Sequence, residues 1–147
     1  SPYFHVFLAA QVKANDRGFL SKDVLVSDLI SLRGDIHHLF PKDYLKKNGL
    51  DRSKYNQIAN YVFMQSEINI KIGNKPPKEY FDLIKSQMTN NNRLVTGIST
   101  EQELLDNLKM NCIPVEIMEM TILDYQDFLS LRRKLMANKI KEYYFGL

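Results

Sequence analysis

The sequence predicts an α+β fold, a mainly α-helical domain with one short β-pair in its middle. Three observations predict it. Apolar residues recur at helical spacing through most of the chain and end in a long stripe from Asp124 onward. Two stretches of β-branched and aromatic residues, 35–40 and 61–65, break that pattern between Gly34, Pro41 and Ser66. The composition is that of one globular domain: 147 residues, 44% hydrophobic and 25% charged, with eight Tyr, eight Phe, only six Gly and five Pro.

Ser1 and Pro2 supply a cap and a first-turn proline, and Phe4, Phe7, Leu8 and Gln11 fall at helical spacing before Asp16, Arg17 and Gly18 stop the run. His5, among aromatics, reads as a core or partly buried histidine rather than a ligand. Between Lys22 and Leu32, the residues Val24, Leu25, Val26, Leu29 and Ile30 allow either a strand entering a short helix capped by Ser27, or one helix. Residues 35–40 read as a strand ended by Pro41, which has no N–H for a ladder and opens a helix over 41–48 that Gly49 closes. Ser53 caps a short helix running to Ala59. Residues 61–65 form the second strand, and Ser66 with Glu67 starts a helical turn that Gly73, Pro76 and Pro77 break. Pro77 opens a helix over 78–88, followed by a polar loop over 89–92. Thr100 and Glu103 form a capping box before Leu104, Leu105 and Leu108, and residues 112–114 end that helix. The last helix carries Tyr125, Phe128, Leu131, Leu135, Met136, Ile140 and Tyr143 along one stripe. The chain reads as a single domain, 1–147.

Several function classes are excluded cheaply. The longest uncharged apolar stretch, 3–12, is half of the about 20 residues that a membrane span needs, and it lacks the basic start and cleavage site of a signal peptide. A single cysteine, Cys112, forms no internal disulfide, so the protein reads as cytoplasmic, with Cys112 as a small buried hydrophobe. One cysteine and three histidines argue against a closed four-ligand zinc site. The net charge is only +3, so any polyanion site must be local. Starting at Ser1 in an amphipathic segment, the chain reads as part of a longer protein.

The residues that promise chemistry surround the β-pair. A histidine is largely neutral at pH 7, so His37 and His38 could bind a metal ion and take a proton from water. Asparagine offers an uncharged oxygen to a divalent cation, and Asn60 and Asn69 flank and follow the second strand. Adjacent strand residues point to opposite faces, so the two histidines can serve one phosphate only if the strand ends there.

The stretch Asp35-Ile36-His37-His38-Leu39-Phe40-Pro41, then Asn60 and Asn69, resembles the His-Asn-His (HNH) nucleases, whose site is a ββα-metal finger. His38-Leu39-Phe40-Pro41-Lys42-x-Tyr44-Leu45, Ile58-Ala59-Asn60-Tyr61 and Asn69-x-x-Ile72-Gly73-x-Lys75-x-Pro77-x-Glu79-Tyr80 look more closely like the C-terminal nuclease domain of GmrSD-type modification-dependent restriction proteins. The match covers about residues 33–81 strongly and the end of the chain, with Arg132-Arg133, weakly. The resemblance implies a divalent-metal-dependent endonuclease in a restriction or anti-phage defence protein. His38 would be the general base, Asn60 would hold its loop, and His37 and Asn69 would bind one metal ion, Mg²⁺ or Mn²⁺ before Zn²⁺ or Ni²⁺. Asn at position 69 in place of His is a family variant with a weaker grip on soft metals. Asp35 would hydrogen-bond and orient the His37 ring, and Lys71 and Lys75 would meet flanking phosphates. The partners implied are DNA and an N-terminal nucleotide-dependent DNA-sensing domain; this chain has no phosphate-cradling Gly-rich loop and no membrane partner.

Blander readings stand beside these. Asn60 alone reads as a helix cap, and Lys71 and Lys75 alone as a solvated face. Arg132, Arg133, Lys134, Lys139 and Lys141 read as the exposed side of the last helix, opposite Leu131 and Leu135, rather than as a phosphate track. The rival functions are a catalytically inactive nucleic-acid-binding or regulatory module that keeps the finger for its shape, and a zinc hydrolase of small substrates. Against the second stands the lack of a third His, Asp or Glu ligand at motif spacing.

Overall fold

The computed structural model describes residues 2–32, 36–90 and 95–146. They form an α+β fold, mostly helical around one two-stranded antiparallel sheet. Helix α1 spans Pro2–Lys13 and buries Phe4, Phe7, Ala10 and Gln11. It ends with Asn15 in the left-handed region (φ 56°). Asp16 N–H then bonds the Gln11 carbonyl and Asn15 N–H the Val12 carbonyl, a Schellman closure. His5 on this helix is exposed, against expectation, because it lies on the face opposite Phe4 and Phe7. Of the two readings for 22–32 the structure is nearer the first: Leu25 pairs with Arg17 as an isolated bridge, and α2 (Val26–Ser31) follows. Its cap position is Leu25 rather than Ser27.

Strand β1 (Ile36–His38) pairs with β2 (Tyr61–Phe63), with Ile36 opposite Phe63, His37 opposite Val62 and His38 opposite Tyr61. Between them lie α3 (Lys42–Lys47), α4 (Arg52–Tyr55) and a 3₁₀ turn over Ile58–Asn60. Gly49, at φ 83°, closes α3, where a side chain would be strained. The single helix expected over 53–59 is broken at Asn56. Gln57 Nε2 donates to the Ser53 carbonyl, the acceptor that a continued helix would have given to Gln57 N–H.

Helix α5 (Ser66–Ile72) follows β2 directly and buries Ile68 and Ile72. Helix α6 (Pro77–Asn90) runs past its expected end, absorbing Thr89 and Asn90, with the Thr89 hydroxyl donating back to the Lys85 carbonyl at 3.4 Å. The rest of that expected loop, Asn91 and Asn92, lies outside the described residues. Helix α7 (Glu101–Met110) has Thr100 as its cap, accepting from Glu103 N–H at 3.1 Å. The Glu103 carboxylate accepts from the Ser99 and Thr100 hydroxyls, so only half of the expected box forms. Two 3₁₀ turns, Val115–Glu119 and Ile122–Asp124, lead into α8 (Tyr125–Phe145).

The buried face of α8 is Tyr125, Phe128, Leu129, Arg132 and Met136. It is rotated from the expected stripe because position 132, skipped for its charge, lies at the centre of the core-facing side. Arg132 is 0% exposed, while Leu135 is 39% exposed. Lys139 also leaves the expected exposed face: it forms an ion pair with buried Asp16 and donates to the Met110 carbonyl at 3.1 Å. Arg133, Lys134 and Lys141 are exposed as expected. Cys112 is buried, and burial pushes its thiol up to about 11. Among the described residues no helix is long and apolar enough to cross a membrane.

Candidate active site

The site builds from the end of β1. In an antiparallel pair, directly opposed residues share a face. His37 therefore shares a face with buried Val62, and His38 shares the other with Tyr61. The strand ends only at His38, so both histidines lie within it and point to opposite faces. Both histidines are half-buried.

The two residues after His38 are tied down completely. Leu39 N–H donates to the Asn60 carbonyl at 2.8 Å, and the Leu39 carbonyl accepts from the Tyr80 hydroxyl at 2.8 Å. Phe40 N–H donates to Asn60 Oδ1 at 2.8 Å, and the Phe40 carbonyl accepts from Asn60 Nδ2 at 3.1 Å. Asn60 is 0% exposed, and its Nδ2 also reaches the Tyr55 carbonyl at 3.4 Å. Arg132 closes the arrangement from α8. Its Nη1 donates to the Ala59 carbonyl at 2.9 Å and the Tyr61 carbonyl at 2.6 Å, on either side of Asn60, and its Nη2 to the Asn111 carbonyl at 3.2 Å. Burial pulls this guanidinium down to about 10, so it stays charged at pH 7. Carbonyl dipoles and the Phe7 ring, 5.8 Å from Arg132 Cζ, surround that charge.

The His38 ring sits edge-on to Tyr61 and Tyr55, with centroids 5.2 and 6.3 Å away, and its Nε2 lies 3.0 Å from Asn56 Oδ1. Burial holds the ring below the usual histidine range; the Asn56 bond partly offsets this, and the charge of Lys42 adds to it. The ring is therefore neutral at pH 7, the form that accepts a proton. Lys42 Nζ stands 5.6 Å from the centre of the Tyr55 ring. Asn56 also lines a hollow of about 530 Å³, together with Gln57, Arg133 and Tyr3.

Asn69 lies on α5 beside the core-facing Ile68 and Ile72 and is half-buried; its side chain makes no hydrogen bond among the described residues. Lys71 is exposed and Lys75 half-buried, on and just beyond that helix. Asp35 lies outside the described residues. The geometry thus joins His38 and Asn60 through Phe40, while Asn69 and Lys71 on α5, and Lys75 just beyond it, make no bond to them. Among the described residues no three His, Cys, Asp or Glu side chains converge as a metal cluster.

Four of these residues carry no role in the sequence pattern. Tyr80 and Lys42 fall inside motif stretches, Arg132 lies on the side of the last helix expected to be exposed, and Asn56 lies within the helix expected over 53–59.

No protein-family model matches the chain, and no solved structure matches it. An uncharacterized protein of Methanocaldococcus jannaschii is 27% identical over 72% of this chain, which spans a fifth (20%) of that protein's length.

Proposed function

We propose that this chain is an endonuclease domain of the His-Asn-His type that hydrolyses DNA phosphodiester bonds with one divalent metal ion, in a restriction or anti-phage defence protein. The observation that carries the reading is the Asn60 side chain paired to both backbone groups of Phe40, two residues beyond a neutral His38. An uncharged amide with one acceptor and one donor is the group that can satisfy a C=O and an N–H of the same residue at once. The order of elements also supports it: an antiparallel pair, then a helix carrying Asn69.

His38 takes the proton of the attacking water, the new oxygen–phosphorus bond forms, and the bond to the 3′ oxygen breaks. A positioned base of this kind typically contributes about 10²- to 10⁴-fold. Asn60 acts by keeping the His38 loop in register. His37 and Asn69 would hold the metal, an imidazole nitrogen and an amide oxygen being neutral donors that suit Mn²⁺, Ni²⁺ or Zn²⁺ at least as well as Mg²⁺. When bound, such an ion polarises the phosphoryl oxygen and neutralises the leaving oxygen. A nucleotide-dependent sensing domain elsewhere in a longer cytoplasmic chain would supply DNA affinity and control, in keeping with a net charge of only +3.

The test is nicking of supercoiled plasmid with Mg²⁺, Mn²⁺, Ni²⁺ or Zn²⁺, comparing wild type with His38→Ala. Wild type is expected to nick slowly with little sequence preference and His38→Ala to be inert. Equal inertness of both with every metal, in the chain as it naturally occurs, overturns the enzyme and leaves the inactive binding module in its place.

A further inference from the structure

We propose that Asn56 is a positioning residue that fixes the tautomer of His38, so that Nδ1 is the nitrogen that takes the proton. Asn56 Oδ1 stands 3.0 Å from His38 Nε2. An amide oxygen only accepts, so Nε2 carries the hydrogen of the neutral ring and the lone pair lies on Nδ1. A neutral imidazole has one basic nitrogen, and which one it is follows from the bond that the other makes.

Four further features make the contact a constraint rather than a passing one. Asn56 is the residue at which α4 stops, with φ −88° and ψ 67°. The Gln57 side chain has taken the Ser53 carbonyl, so α4 is closed off and the backbone at Asn56 turns toward β1. The Tyr125 hydroxyl holds the preceding turn by donating to the Lys54 carbonyl at 2.7 Å. The His38 ring is flanked by Tyr61 and Tyr55, which limit its rotation about the Cβ–Cγ bond. A ring flip that exchanged the two nitrogens would give up the Asn56 bond and move the ring between Tyr55 and Tyr61.

The geometry stands without the nuclease reading; only the catalytic consequence rests on it. The deciding measurement is a long-range ¹H–¹⁵N correlation spectrum of the histidine side chains in alkaline buffer, with the His38 signals assigned by their loss in His38→Ala. Wild type is expected to show a protonated Nε2 and a bare Nδ1 in a single tautomer. Asn56→Leu, which cannot accept, is expected to give a mixture with averaged nitrogen shifts, and Asn56→Asp, which can, to restore the single form. In plasmid nicking, Asn56→Leu should lower kcat about 10- to 100-fold with KM little changed, and Asn56→Asp should recover most of it. A protonated Nδ1 in wild type, or identical spectra for wild type and Asn56→Leu, overturns the proposal. If Asn56→Leu fails to fold, the wild-type and Asn56→Asp spectra still decide. The expected spectra in a protein that cuts no DNA leave the tautomer assignment standing and remove the nuclease reading alone.

Discussion

Replacing Asn60 by alanine should cost this domain about 4 kcal/mol of stability. The side chain is fully buried and makes bonds of 2.8 and 3.1 Å to the N–H and carbonyl of Phe40, itself 0% exposed. Truncation leaves both groups buried with nothing to bond and no room for bulk water. Each orphaned group costs about 1–3 kcal/mol, so the pair costs about 2–6. Against a total of about 5–15 kcal/mol for a domain, that is a large share. At about 2–4 °C per kcal/mol for this chain length, the melting temperature should fall by about 8–16 °C. Urea unfolding followed by far-ultraviolet circular dichroism is the assay, and the midpoint should move without a change of slope. Asn60→Asp is the sharper companion: it keeps an acceptor for Phe40 N–H but turns a second oxygen toward the Phe40 and Tyr55 carbonyls, and should cost at least as much. A loss below about 1 kcal/mol for Asn60→Ala would refute the reasoning, because the loop would then be held without this side chain.

Asn69→Ala should behave oppositely, changing stability by less than about 0.5 kcal/mol while abolishing metal-dependent nicking, because its side chain is half-exposed and makes no internal bond. A stability loss as large as that of Asn60→Ala would place Asn69 among the structural residues. Lys71 is exposed and is the lysine that the HNH resemblance sets against a flanking phosphate, so Lys71→Ala should flatten the plot of log affinity for DNA against log salt by about 0.9; an unchanged slope would leave Lys71 as part of a solvated face. Cys112, with its thiol pushed up to about 11, should react with an aromatic disulfide at pH 8 about 100-fold more slowly than a free thiol. The rate should rise with pH, since the thiolate is the reactive form, and jump on unfolding; fast labelling of the native protein would show the thiol to be accessible.

The helices were legible where punctuation was strong. Pro2, Pro77, Gly49 and Thr100 mark boundaries by backbone restriction or capping, effects that act within a few residues of sequence. Boundaries failed where a side chain competed with the backbone. Gln57 takes the Ser53 carbonyl and breaks the expected 53–59 helix, and Thr89 and Asn90 continue a helix because nothing forbids them to. His37, His38 and Asn60 stood out because two titratable rings and a buried-capable amide occur around the β-pair. Asn56 did not, since its role depends on where α4 stops relative to β1, a distance of 18 residues along the chain. Arg132 was misplaced for a physical reason: charge ordinarily predicts solvent, yet three carbonyls and an aromatic ring make a polar socket that no local pattern announces.

That socket explains how so short a β-pair can be held in place. A two-stranded sheet of three residues a side is marginal by itself. Here the segment Ala59–Tyr61 is gripped by Arg132 from α8, and the residues after His38 by Asn60 and by Tyr80 from α6. Elements distant in sequence thus clamp the strand ends, and the clamp is made of hydrogen bonds to backbone groups, which fix position without adding charge beside His38. Arg132 provides the one exception, and its hydrogen bonds end on the carbonyls flanking Asn60 and on that of Asn111. The base proposed at His38 would be well served by such a frame: rigid, built largely of neutral groups, and with its buried cation Arg132 committed to carbonyls rather than to the imidazole.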